Sequence, residues 1–174
     1  DQSISDRDYY KIQHAIDNAS AGNTLHIWAW NYNENVVVNK TLTIIGNGTG
    51  NTTLNATLNT TSSGIGFDIT SDDVTIKNIK VEGCGNASTT YNGFQLTGED
   101  ITLENVIAKT CYRGAGISGS GAWIGNSTFS NNYNHGLNAG GEQVKIYNNT
   151  LLSNAYHGIK ALGDDGVIKA NTIS

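Results

Sequence analysis

The segment WIGNSTFSNNYNHGL (Trp123 to Leu137) returns 22 residues later as KIYNNTLLSNAYHGI (Lys145 to Ile159), and Ile168, Asn171, Thr172 and Ile173 begin a third copy. Upstream copies vary in length. Gly66-Phe67 returns as Gly93-Phe94, Ile76 as Leu103, Asn78 as Asn105, Val81 as Ala108 and Cys84 as Cys111, each pair 27 apart, and Leu103 returns as Ile124 after 21. Within a copy, apolar and polar residues alternate over short runs such as Phe67-Asp68-Ile69 and Val74-Thr75-Ile76, the period of a strand with one buried face. No single copy can bury that face. Stacked in parallel, the copies form columns such as Ile76, Leu103, Ile124, Ile146 and Ile168, so the expected fold is all-β, a single-stranded β-helix solenoid. About six rungs at roughly 4.8 Å each make a rod about 30 Å long.

Composition agrees with this reading. Of 174 residues, 23 are Asn, 21 Gly and none Pro or Met, and only 14% are charged, so polarity comes from uncharged side chains. Val, Ile and Thr total 45, which argues against disorder. A net charge of −5 without any run of Lys or Arg excludes a polyanion footprint, so no nucleic-acid partner is expected. Apolar runs such as Thr41 to Ile45 are too short for a membrane span. The start at Asp1 and the lack of Met predict a removed leader and secretion to the cell surface or beyond.

Residues 1–23 differ from the repeats. Asp8 to Asn18 places Ile12, Ala15 and Ile16 at helical spacing after cap-capable Ser5 and Asp6, which predicts a short amphipathic helix lidding the first rung. Residues 24–174 then form the β-helix. IQHAIDNASAGNTLHIWAWNYNENVVVNKTLTIIG (Ile12 to Gly46), followed by the Asn-Asn-Thr-Leu and Asn-Thr-Ile rungs, resembles secreted right-handed parallel β-helix repeat proteins with the pectin-lyase-like fold, of the surface-protein type. That resemblance implies a right-handed coil. The group spans polysaccharide lyases, esterases and surface proteins, so it implies no single activity.

Enzymes resembling this fold work on the outer face of one sheet, with paired carboxylates and Arg, or acid-bound calcium and a base. The corresponding column is read here as Asp68, Gln95, Ser118, Asn138 and Lys160, which holds no carboxylate pair, and Arg113 is placed in a turn away from one. No enzyme activity is expected. Asp72, Asp73, Glu99 and Asp100, with Glu142, Asp164 and Asp165, form an acidic turn that is either solvated or bridged by calcium. His135 and His157 stack in neighbouring rungs, either sharing a transition metal or bonding nearby backbone. Cys84 and Cys111 align in adjacent rungs, where a disulfide is expected and a pair of stacked buried thiols is the alternative.

Nine Asn-x-Ser/Thr sequons occur, at Asn18, Asn39, Asn47, Asn51, Asn55, Asn59, Asn86, Asn126 and Asn148. Random placement gives about four. Asn51, Asn55 and Asn59 share one parity on a strand, a face ready for covalent glycans. The column Asn78, Asn105, Asn126 and Asn148 also suits an amide ladder inside the turns. Trp28, Trp30 and Tyr32 cluster in the first rung, where exposed rings could stack on sugars.

The sequence stops at Asn171-Thr172-Ile173-Ser174, midway through a rung. Either it is a fragment or a second copy covers that edge, with Ser3 and Ile4 in an arm that adds as a strand. The leading expectation is therefore a glycosylated extracellular structural subunit assembling end to end into a filament or surface layer. A carbohydrate-binding or carbohydrate-active module, and a calcium-stabilised adhesin module, are the alternatives.

Overall fold

The computed structural model describes residues 10–50, the backbone of Thr53–Asn55, and residues 64–174. Ser3, Ile4, Asn51 and Asn59, and the side chain of Asn55, lie outside the described residues. The chain coils through three parallel sheets, here A, B and C, with seven, seven and six strands among the described residues. Sheet A runs from Thr24–Ile27 to Val167–Lys169, sheet B from Asn31–Tyr32 to Thr172–Ile173, and sheet C from Val36–Val38 to Ile159–Ala161. Each coil contributes one strand to each sheet in turn.

The predicted columns meet as expected. Ile44, Ile76, Leu103, Ile124, Ile146 and Ile168 are register partners down sheet A. Phe67 stacks on Phe94 at 5.7 Å, with planes 4° apart. Burial of these like-on-like rows is the main cohesive force, added to the backbone ladders and the side-chain amide bonds between rungs.

Corners are built from single left-handed residues. Between sheets A and B, Asn78, Asn105, Asn126 and Asn148 take φ of 52 to 58°. Between sheets C and A, Asp73, Asp100, Gln143 and Asp165 take φ of 53 to 55°, with Gly121 at the same place in its coil. Asn and Asp tolerate this region better than other L residues, which explains why both corners are rich in them.

A short helix, Ile12–Asn18, covers the N-terminal end with Ile12 and Ile16 buried. It starts four residues later than the sequence predicts, and its N-cap residue, Lys11, makes no side-chain cap. Glu34 caps it instead, its carboxylate accepting the Ile12 and Gln13 N–H groups at 2.8 and 3.2 Å. Lys40 closes the other end, donating to the carbonyls of Ile16, Asp17 and Ala19 at 2.9 Å each. The Gln13 side chain stands in for a strand, accepting the Val37 N–H at 2.7 Å and donating to the Val37 carbonyl at 3.3 Å. No described helix is long and apolar enough to cross a membrane.

Candidate functional site

Sheet C carries the feature that stands apart from the repeat. Its later coils each place a glycine, Gly93, Gly114, Gly136 or Gly158, at or just before the start of the strand, where there is no room for a side chain. A Cβ on Gly114 would lie 2.5 Å from the Gly136 carbonyl oxygen and 2.6 Å from the Phe129 ring. With that glycine and the next apolar residue both against the core, the residue before the glycine turns outward. Asn92, Arg113, His135 and His157 thus form an outer column, and Asp68, Gln95, Gly116, Asn138 and Lys160 form another beside it.

This corrects the column read from sequence, because Gly116, not Ser118, is the register partner of Gln95 and Asn138. The coil from Gln95 is 21 residues long, and Ser118 lies two residues beyond its partner position. Gly116 has a steric reason. A Cβ there would sit 2.5 Å from Asn92 Nδ2 and 3.0 Å from Gln95 Oε1. The space a side chain would take is filled by the Asn92–Gln95 amide pair, joined by a hydrogen bond from Asn92 Nδ2 to Gln95 Oε1.

Three buried polar atoms lack a hydrogen-bond partner among the described residues, namely Asn92 Oδ1, Arg113 Nε and Asn134 Oδ1, and all three belong to this face. Asn92 is only 3% exposed. Arg113 is the register partner of Asn92, and its guanidinium lies 5.0 Å over the Tyr112 ring. Asn134 donates to Tyr112 Oη at 2.8 Å. Buried polar atoms are rarely left unpaired, so three on adjoining coils mark a surface shaped for a polar ligand or ordered water.

The titrating groups respond to the same setting. Burial pushes the Asp68 carboxyl above the usual carboxylate range. Burial first, then the nearby His157, Arg113 and Lys160, lowers the His135 imidazole. His135 and His157 stack at 5.1 Å with planes 3° apart, and the His157 N–H donates to His135 Nδ1 at 3.3 Å. Backbone bonding is therefore how the pair is held.

Other expected sites are placed as follows. Cys84 and Cys111 are buried thiols without a disulfide, a correction to the expected bridge. The Cys84 N–H points at Cys111 Sγ at 3.4 Å, and Cys111 Sγ in turn lies 3.4 Å from the Lys109 carbonyl. Among the described residues no three acidic, His or Cys side chains converge to hold a metal. Asp72, Asp73, Glu99 and Asp100 do not converge either: Asp72 Oδ1 accepts the Glu99 N–H at 2.8 Å, and Asp73 and Asp100 are corner residues one rung apart. Calcium takes six to eight oxygens, and this turn offers a row instead.

The expected amide ladder is also redistributed. Asn78 and Asn105, and Asn126 and Asn148, form two pairs at 2.7 Å on the outside of the corner rather than within it. The inner ladder consists of Asn132, Asn149, Asn154 and Asn171. Asn149 and Asn171 accept the Ser127 and Asn149 N–H groups at 2.9 and 2.8 Å, and donate to the Ile124 and Ile146 carbonyls. Asn171 thus serves the interior, whereas Thr172, Ile173 and Ser174 remain at the rim. The sequon residues Asn18, Asn39, Asn47 and Asn86 are exposed.

With the coil and its sheet C face in view, the family is plain. Residues 63–174 match the family described as "Right handed beta helix region", and the chain belongs to that family, which makes the coil right-handed. A solved pectin methylesterase mutant in complex with a hexasaccharide is similar in fold, with a TM-score of 0.67 at 16% identity over 87% of this chain. The chain spans about half of that structure, 53% of its length. No match is found among curated proteins.

Proposed function

We propose that this β-helix is an extracellular carbohydrate-binding module whose ligand lies on the outer face of sheet C. The carrying observation is the trio of buried, unpartnered polar atoms on Asn92, Arg113 and Asn134, on three successive coils. Amide oxygens seek hydroxyl donors and a guanidinium N–H seeks an acceptor, a combination that a sugar ring satisfies. The similar pectin methylesterase structure holds a hexasaccharide, which is consistent with this class of ligand. Nine sequons support an extracellular setting and covalent glycans of the chain's own.

We assign binding without turnover. Acid–base cleavage of a glycosidic bond uses two carboxyl groups, and this outer column carries one, Asp68. Titration calorimetry against neutral and acidic oligosaccharides tests the reading. Wild type is expected to bind, and Gly116→Ala is expected to lose about tenfold or more in affinity with its fold intact, since the added methyl displaces the Asn92–Gln95 pair. Absence of binding to any oligosaccharide, or equal binding by both proteins, defeats it.

A second reading, self-association into a filament or surface layer, is favoured by one observation. Ile168, which continues a fully buried column, is 49% exposed, and Leu162 and Ile173 beside it are also exposed.

A further inference from the structure

We infer that Arg113, His135, His157 and Lys160 form an oxyanion subsite at one end of the sheet C face, suited to a sulfate or carboxylate group carried by an acidic glycan. The inference names a subsite within the carbohydrate reading above, yet its chemistry can be tested apart from it.

Four basic groups occupy neighbouring places on three successive coils of a chain whose net charge is −5. On sheets A and B three lysines have carboxylate partners, Lys77 with Glu104 at 2.6 Å, and Lys80 and Lys109 with Glu82 at 3.5 and 3.1 Å. Arg113 and Lys160 form no ion pair among the described residues. Arg113 also keeps its Nε buried and unpartnered, a donor directed to no protein acceptor. Like charges gathered without a counter-charge repel, and a low-dielectric setting strengthens that repulsion, so an arriving anion gains from all of them at once. A guanidinium with a free N–H is suited to a sulfate or carboxylate through charge-assisted bonds.

His135 makes the subsite sensitive to pH. It is 7% exposed, and the groups acting on it are His157 and Lys160 from the following coil and Arg113 from the preceding one. The ring of Tyr156 meets it edge-on at 6.1 Å. No carboxylate is among these groups. Asp68, on the same outer face, lies three strands away in sheet C. An anion bound here removes part of the repulsion that disfavours the imidazolium, so anion and proton uptake are linked. Binding strengthens as pH falls into the range where His135, held below its ordinary value, takes up its proton.

The experiment uses the full chain and three probes: inorganic sulfate, dextran sulfate and neutral dextran. Dextran sulfate is expected to bind about tenfold tighter at pH 5.5 than at pH 7.5, and Arg113→Gln with Lys160→Gln to abolish that gain. Sulfate is expected to raise the NMR titration midpoint of the His135 ring in wild type, a readout independent of whether the variants fold. A sulfate-induced shift without binding of any glycan upholds the subsite, assigns it to a free anion, and defeats the carbohydrate reading. Neutral dextran binding that Gly116→Ala weakens, with flat pH dependence and an unmoved His135, overturns the subsite and leaves that reading standing.

Discussion

Asp68 shows how a repeat position becomes a functional one. It stands where Gln95, Gly116, Asn138 and Lys160 stand in later coils, yet it is a half-buried carboxylate. Because burial raises its folded pKa above the unfolded value, the folded state binds the proton more readily. Its ionised form therefore weighs against folding above that pKa, and the burden vanishes once the pH lies below both values. Asp68→Asn is expected to raise the thermal midpoint at pH 7 and to leave it unchanged near pH 3. A midpoint that falls at pH 7 would mean that Asp68 has a favourable partner. Legibility at this scale follows the backbone. The Asn and Asp corner residues were visible as a pattern, but their reason, single left-handed φ values, was not. The doublets Asn131-Asn132 and Asn148-Asn149 carried the missing signal: the first amide turns the corner and the second enters the core.

The helix Ile12–Asn18 shows the same division between pattern and partner. Its apolar spacing was readable, whereas its caps come from residues 21 to 24 positions onward, Glu34 and Lys40. A seven-residue helix is too short to persist unaided, so these contacts and the burial of Ile12 and Ile16 hold it. Glu34 is 5% exposed, and losing its carboxylate strands two buried N–H donors. Glu34→Ala is expected to cost about 2 kcal/mol in denaturant unfolding, with Glu34→Gln intermediate. An effect below about 0.5 kcal/mol would show that the helix is not coupled to the first rung.

Across the whole molecule the two ends differ. At one end the helix seals the core, and the Gln13 amide satisfies the Val37 N–H and carbonyl. At the other, the sheet A column ends in the half-exposed Ile168. If copies associate through this face, sedimentation of the full chain should show a concentration-dependent dimer that Ile168→Lys dissolves. A mass independent of concentration removes the self-association reading.

The sequence alone determined the solenoid, its core columns, its polar corners and the place of the helix, since each depends on spacing along the chain and on contact between like neighbours. Only the tertiary structure decided which side chains share the sheet C face. Coils of 27, 21 and 22 residues shift the register, so Gly116 rather than Ser118 faces Gln95, and Arg113 joins Asn92 instead of standing alone in a turn. The 21-residue offset is itself legible in the chain, but the outward turn of the residue before each glycine is not. That turn is set where the strands pack, by backbone ladders and by the volume of the residues against the core.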